Sequence, residues 1–150
     1  MNSDLTFPDK VAISFVTQNI SFRLTERKKI ISLLKLLISE HKKKTGNLCF
    51  VFTNDENLLQ INKQYLHHDY YTDIITFNYC EKDIISGDIM ISVDRVIENA
   101  RKFNANKNEE LKRVIIHGVL HLIGYDDNNP KNIKKMRTTE NEWLQKYTNI

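Results

Sequence analysis

A chain of 150 residues, 41% hydrophobic and 27% charged, has the length and balance of one globular domain that buries its apolar surface in a single core. Four Gly and two Pro leave little for a linker, and the longest apolar runs fall well short of the roughly 20 residues that cross a bilayer. A net charge of +3 admits an anionic partner without requiring one, and the basic clusters Arg27–Lys29, Lys42–Lys44 and Lys131–Arg137 read first as solvated helix faces or ends.

Met1–Lys10 carries Asp4 and Asp9 and reads as too polar for a secretory signal. Val11–Thr17 alternates as a strand does. Thr25 stands where it would cap a helix over Glu26–His41, in which Ile30, Ile31, Leu33, Leu34, Leu37 and Ile38 form a wide apolar stripe. Lys42–Lys44 suit the negative end of that helix, and Gly46 suits a left-handed turn closing it. Leu48–Thr53 reads as a second strand. Thr53-Asn54-Asp55-Glu56 has the form of a capping box and predicts a helix over Asn54–Leu66 that buries Leu58, Leu59, Ile61, Tyr65 and Leu66. A polar loop, His67–Tyr71, leads to a third strand, Asp73–Tyr79, and Gly87 marks a turn into a fourth, Asp88–Val93. Helices follow at Asp94–Phe103, Glu109–Ile123 and Asn132–Tyr147. The pattern predicts a single α+β domain over 1–150, with roughly four strands in a mixed sheet packed against helices. Cys49 and Cys80 each fall in an apolar segment and read as reduced small hydrophobes, which suits a cytoplasmic protein.

The chemistry concentrates in Val114–Asp127, VIIHGVLHLIGYDD. Ile115, Ile116, Val119, Leu122 and Ile123 cover most of a helical circumference, so the helix is expected to be buried. His117 and His121 are four apart and project one turn apart on one face, where two imidazoles can reach a single metal ion. Two core histidines satisfied by backbone carbonyls are the plainer alternative, but neighbouring buried imidazoles without a shared partner are costly. Gly124 can end the helix and return Asp126 and Asp127 toward the histidines. Zinc peptidases carry a glutamate base after the first histidine; Gly118 stands here, leaving a slot beside the metal and no base, which disfavours peptide hydrolysis. In the last helix Ile133, Met136, Trp143 and Tyr147 share an apolar seam that contains Glu140. Such a buried carboxylate needs a partner, either an arginine or backbone group at the seam's edge, or the free ring nitrogen of His117 or His121.

The segment His117–Asp126 resembles the signature of the YbeY family, His-Gly-x-Leu-His-Leu-x-Gly-Tyr-Asp-His, at every specified position up to the last. Thr72–Phe77 is similar to the family's Thr-Asp-Val-Leu-Ser-Phe strand, and Gly87-Asp88-Ile89 to its Gly-Asp-Ile turn. The resemblance implies a zinc-dependent endoribonuclease directed at single-stranded RNA, acting with the ribosome or its small subunit in maturation of the 16S rRNA 3′ end and in ribosome quality control. It also implies one ion per chain held by His117, His121 and Asp127, the last standing where the family has histidine. A ligand set of two histidines and a carboxylate leaves room for a divalent metal other than zinc. Asp126 is the rival third ligand. The only catalytic group this names is a water on the ion. A second departure is Leu66, after Tyr65, where the family carries arginine; Lys63, His67 and His68 are the candidates to meet a substrate phosphate instead. The main alternative is a ribosome-assembly binding factor whose metal is structural.

Overall fold

Strand β2 (Lys44–Thr53) organises the sheet, because both of its edges are paired and its residues from Phe50 to Thr53 are all buried. It runs parallel to β1 (Ile13–Thr17), with Phe50 beside Phe15, and parallel to β4 (Ile84–Ser92), with Phe50 beside Ile89. β3 (Ile74–Asn78) pairs antiparallel with β4, which gives the order β1-β2-β4-β3. Parallel neighbours need crossover connections. Helix α1 (Arg27–Glu40) supplies the one between β1 and β2, and α2 (Asp55–Leu66) lies between β2 and β3. This is a computed structural model, and it describes residues 12–149. The expectations for Met1–Lys10, and for a first strand starting at Val11, lie outside the described residues.

Three helices complete the chain: α3 (Val93–Lys102), α4 (Lys107–Ile123) and α5 (Pro130–Thr148). α4 lies on β3 and β4, and α5 packs over α4 and α1. One core cluster joins Leu34 and Leu37 of α1, Phe50 and Phe52 of β2, Ile89 and Ile91 of β4, Ile115 and Val119 of α4, and Trp143 of α5. The expected α+β class, with a four-stranded mixed sheet against helices, is the fold observed. Among the described residues no helix is long and apolar enough to cross a membrane.

Several local expectations are corrected. α1 starts after Glu26, at φ 59°, with no side-chain cap, so Thr25 does not cap it. The left-handed residue after α1 is Lys42, and Gly46 lies inside β2. Asn54, not Thr53, caps α2: its Oδ1 accepts from Asn57 N at 2.8 Å, while the buried Thr53 ends β2 and donates its hydroxyl to Gln18 O. Tyr65 and Leu66 are exposed, and Asn62 is the residue α2 buries in their place, its amide donating to Tyr70 O at 3.0 Å. Gly87 lies within β4, where a Cβ would collide with the Phe77 carbonyl oxygen across the ladder. That position needs glycine for close approach, not for a turn. Gly118 opens no slot beside the histidines; a Cβ there would press on Ile74 and Ile89 of the sheet. In α5 the seam holds Met136, Glu140, Trp143, Leu144 and Tyr147, but Ile133 is 52% exposed.

Candidate metal centre

α4 carries Arg113, His117 and His121 at four-residue intervals, so the three share one half-buried stripe beside the buried Val114, Gly118 and Leu122. The helix closes at Gly124, whose φ of 126° an L side chain would strain to adopt. Gly124 N and Tyr125 N both reach Leu120 O, at 3.1 and 3.0 Å, which satisfies the last turn and reverses the chain. The Tyr125 hydroxyl then donates to His41 Nε2 at 2.9 Å, while His41 Nδ1 donates to Leu37 O at 2.8 Å, tying the reversed loop to the end of α1.

Asp127 follows in that loop. Its Oδ2 lies 3.5 Å from His117 Nε2 and 3.4 Å from His121 Nε2. One donor atom from each of the three residues falls within 4.8 Å of the others. Bonds of 2.0–2.1 Å to a tetrahedral ion place donors about 3.3 Å apart, so both contacts to Asp127 have the spacing of ligands on one ion. The cluster can hold a metal ion with little rearrangement. Asp126 does not join it, and lines a separate cavity with His41, Asn132 and Lys135.

Glu140, on α5, is 4% exposed and reaches His117 from behind. Its Oε2 accepts from His117 Nδ1 at 2.6 Å, and its Oε1 accepts from Arg113 Nη1 at 3.0 Å. Both kinds of partner expected for a buried carboxylate are therefore engaged at once. Burial alone would raise the pKa of Glu140, but hydrogen bonds from His117 and Arg113 outweigh it and hold the carboxyl below its ordinary value. The reciprocal effect is seen at His117. Burial works against the imidazolium, yet the Glu140 carboxylate, with Asp127 and Asp73 further off, raises the pKa above its ordinary value.

A cavity of about 480 Å³ opens beside His117, Asp127 and Glu140, and Asp73, Glu110, Arg113 and Arg137 form further parts of its wall. Burial raises the pKa of both Asp73 and Glu110. Lys63, His67 and His68 do not line it. Lys63 pairs with Asp69 at 3.4 Å, His68 stacks on Tyr70 at 5.1 Å, and His67 ends α2 in the left-handed region at φ 59°. The cations lining the cavity are Arg113 and Arg137. Sequence reasoning missed both, along with Asp73. Arg113 was findable one turn before His117, whereas Arg137 lay in a basic run indistinguishable from a solvated face, and Asp73 lay in a segment read only as strand.

A mixed sheet under a helix that presents two imidazoles and a carboxylate to one point, beside a cavity lined by arginines and carboxylates, defines an α+β protein with a candidate single-metal centre. The family model described as Endoribonuclease YbeY matches residues 12–148. The chain belongs to the YbeY family. A relative named Endoribonuclease YbeY from Parabacteroides distasonis is 44% identical over 89% of this chain and 94% of its own length. One of the same name from Bacteroides thetaiotaomicron is 40% identical over 89% of this chain and 98% of its own. Among solved structures, the solution structure of a Thermotoga maritima protein is 26% identical, with a TM-score of 0.65 over 91% of this chain and 89% of that one.

Proposed function

We propose that this protein is an endoribonuclease that cleaves single-stranded RNA at a site organised by one zinc ion on His117, His121 and Asp127. The name the relatives carry supports the activity, and the reading rests most on the placement of Asp127 Oδ2 at 3.4–3.5 Å from both Nε2 atoms. The set offers three protein donors beside an open cavity, which suits catalysis better than a closed structural site of four. We further propose that the whole chain is one domain, that it works in the cytoplasm, and that its substrate is 16S rRNA near its 3′ end, met on the ribosome or its small subunit.

A bound ion supplies Lewis acidity toward the phosphodiester and toward water. The protein's own residues do the rest. Glu140, accepting from His117 Nδ1, holds the tautomer whose Nε2 lone pair faces Asp127 and His121. Arg113 clamps Glu140 through Oε1 and Asn141 through Oδ1, so the carboxylate has little freedom to leave. Arg137, 62% exposed and only loosely paired with Glu140 Oε1 at 3.8 Å, is the cation best placed to neutralise a substrate phosphate in the cavity. With Glu140 committed, Asp73 and Glu110 are the carboxyls left there to take or give a proton at the reacting oxygens, and their raised pKa values bring them nearer neutrality.

The test is cleavage of a fluorescently labelled single-stranded RNA by purified protein, with elemental analysis of the same preparation. Cleavage should vanish with a chelator and with Asp127→Ala, return on adding zinc to the wild type, and survive Asp126→Ala. Cleavage indifferent to chelator and to Asp127→Ala would assign it to a contaminant and overturn the reading.

A further inference from the structure

A second cavity of about 390 Å³, bounded by Phe103, Asn104, Asn106 and Glu109, adjoins the one beside His117, and the two share Glu110, Arg113 and Arg137 as walls. Phe103 is the most exposed of the large hydrophobic residues described, at 67%. A lone exposed phenylalanine is ordinary on a protein surface. This one is held in position: its N–H donates to Asn99 O at 3.0 Å, Asn104 turns the chain in the left-handed region at φ 55°, and Ala105 N returns to Ala100 O at 2.8 Å. The turn that ends α3 thus fixes the backbone from which the ring projects on the wall of a cavity next to the one beside the candidate metal centre. Lys102 Nζ lies 5.9 Å from the ring centroid, adding a cation at that rim.

We propose that this second cavity is a nucleotide subsite for the RNA strand flanking the cleaved bond, with a base stacked on Phe103 and its phosphate neutralised by Arg137. The inference rests on the endoribonuclease reading above and names where that substrate runs. Three features select RNA as occupant: an aromatic face for a base, the guanidinium of Arg137, exposed although 3.8 Å from Glu140 Oε1, for a phosphate, and walls shared with the cavity beside His117. Glu109 and Glu110 share these walls and partly offset Arg113 and Arg137. Phosphate attraction is therefore weak on balance, and stacking supplies a large share of the affinity. This places Phe103 above any single cation in importance, and it makes the subsite tolerant of base identity, since every base has a stacking face.

The experiment measures fluorescence anisotropy of a labelled single-stranded 2′-O-methyl RNA octamer on zinc-loaded protein, alongside KM on the unmodified RNA. Phe103→Ala should weaken binding about fivefold to 150-fold, the range for loss of one stacked base, and raise KM in step. Phe103→Tyr should restore both. Replacing one nucleotide of the octamer by an abasic unit at the stacked position should erase the difference between wild type and Phe103→Ala. Arg137→Gln should reduce the slope of log affinity against log salt by about 0.7, one phosphate contact on a single strand. Phe103 is exposed, so its variants are expected to fold, and an unchanged melting temperature checks this. If the wild type cleaves RNA while Phe103→Ala binds and cleaves with unchanged affinity and KM, the subsite is wrong and the endoribonuclease reading stands. If the wild type neither binds nor cleaves single-stranded RNA, both are wrong.

Discussion

Glu140 concentrates the electrostatics of the site in one side chain, since it holds a histidine of the candidate metal centre with one oxygen and an arginine with the other. Carboxylates that fix a ligating imidazole are typically worth about 10- to 100-fold in metal affinity. Glu140→Gln should raise the zinc dissociation constant by that order, read by competition with a chromophoric chelator; an unchanged constant would reduce Glu140 to a core ion pair. The same contacts set a pH dependence in chelator-treated protein. The pKa of His117 is raised from 6.5, so its ion pair stabilises the fold fully below pH 6.5 and is lost as pH rises through the folded-state value. The pKa of Glu140 is lowered from 4.5, so its contribution is present above pH 4.5 and lost as pH falls through its folded-state value. Melting temperature should therefore decline on both flanks, and Glu140→Gln should flatten both. Zinc reverses the alkaline flank, because the ion competes with the proton and binds more tightly as pH rises.

At the scale of elements, two glycines show how closely α4 and the sheet are fitted. Gly118→Ala places a methyl group 2.9 Å from Ile74 Cδ1 and 2.9 Å from Ile89 Cγ2. Overpacking of this kind costs about 1–3 kcal/mol, and relieving glycine's helix penalty returns about 1, so a net loss near 1 kcal/mol is expected. Gly87→Ala opposes the Phe77 carbonyl, which has no rotamer to change and retreats only by opening the β3–β4 ladder, so its loss should exceed 2 kcal/mol by roughly 1. Urea midpoints at constant m-value separate the two; equal losses would mean that the ladder gives way as readily as a side chain. These positions also mark what was legible in advance. The spacing of His117 and His121, the apolar periodicity of α4 and the seam of α5 are local properties, so the site helix and its buried glutamate could be read directly. Gly87 and Gly118 are set by what faces them across the sheet, and Arg137 enters the cavity only because α5 folds over α4. No window of sequence contains those contacts. The cap of α2 moved for a smaller reason: Thr53 was already engaged at the end of β2, and Asn54 was free to accept.

At the scale of the whole molecule, the candidate metal centre is wired to the core. His117 and His121 sit on α4, whose other faces carry Val114, Ile115, Ile116, Val119 and Leu120 into the cluster that also contains Trp143 of α5 and Phe50 of β2. Asp127 is reached through a loop tied to α1 by Tyr125 and His41. An ion that binds only when these elements are assembled stabilises all of them together, by about 2.7 kcal/mol when free ion is a hundredfold above its dissociation constant. For a chain of this length that corresponds to a rise in melting temperature of about 5–10 °C. Zinc should produce that shift in wild type and none in His121→Ala. Trp143 is the single tryptophan of the chain and is buried, so its fluorescence reports the helix layer, while far-ultraviolet circular dichroism averages over every element. In a single cooperative domain the two transitions coincide with and without zinc, and both move together on binding. A tryptophan transition that shifts alone would mean that the ion steadies α4 and α5 without engaging the sheet, and that the chain melts as more than one unit.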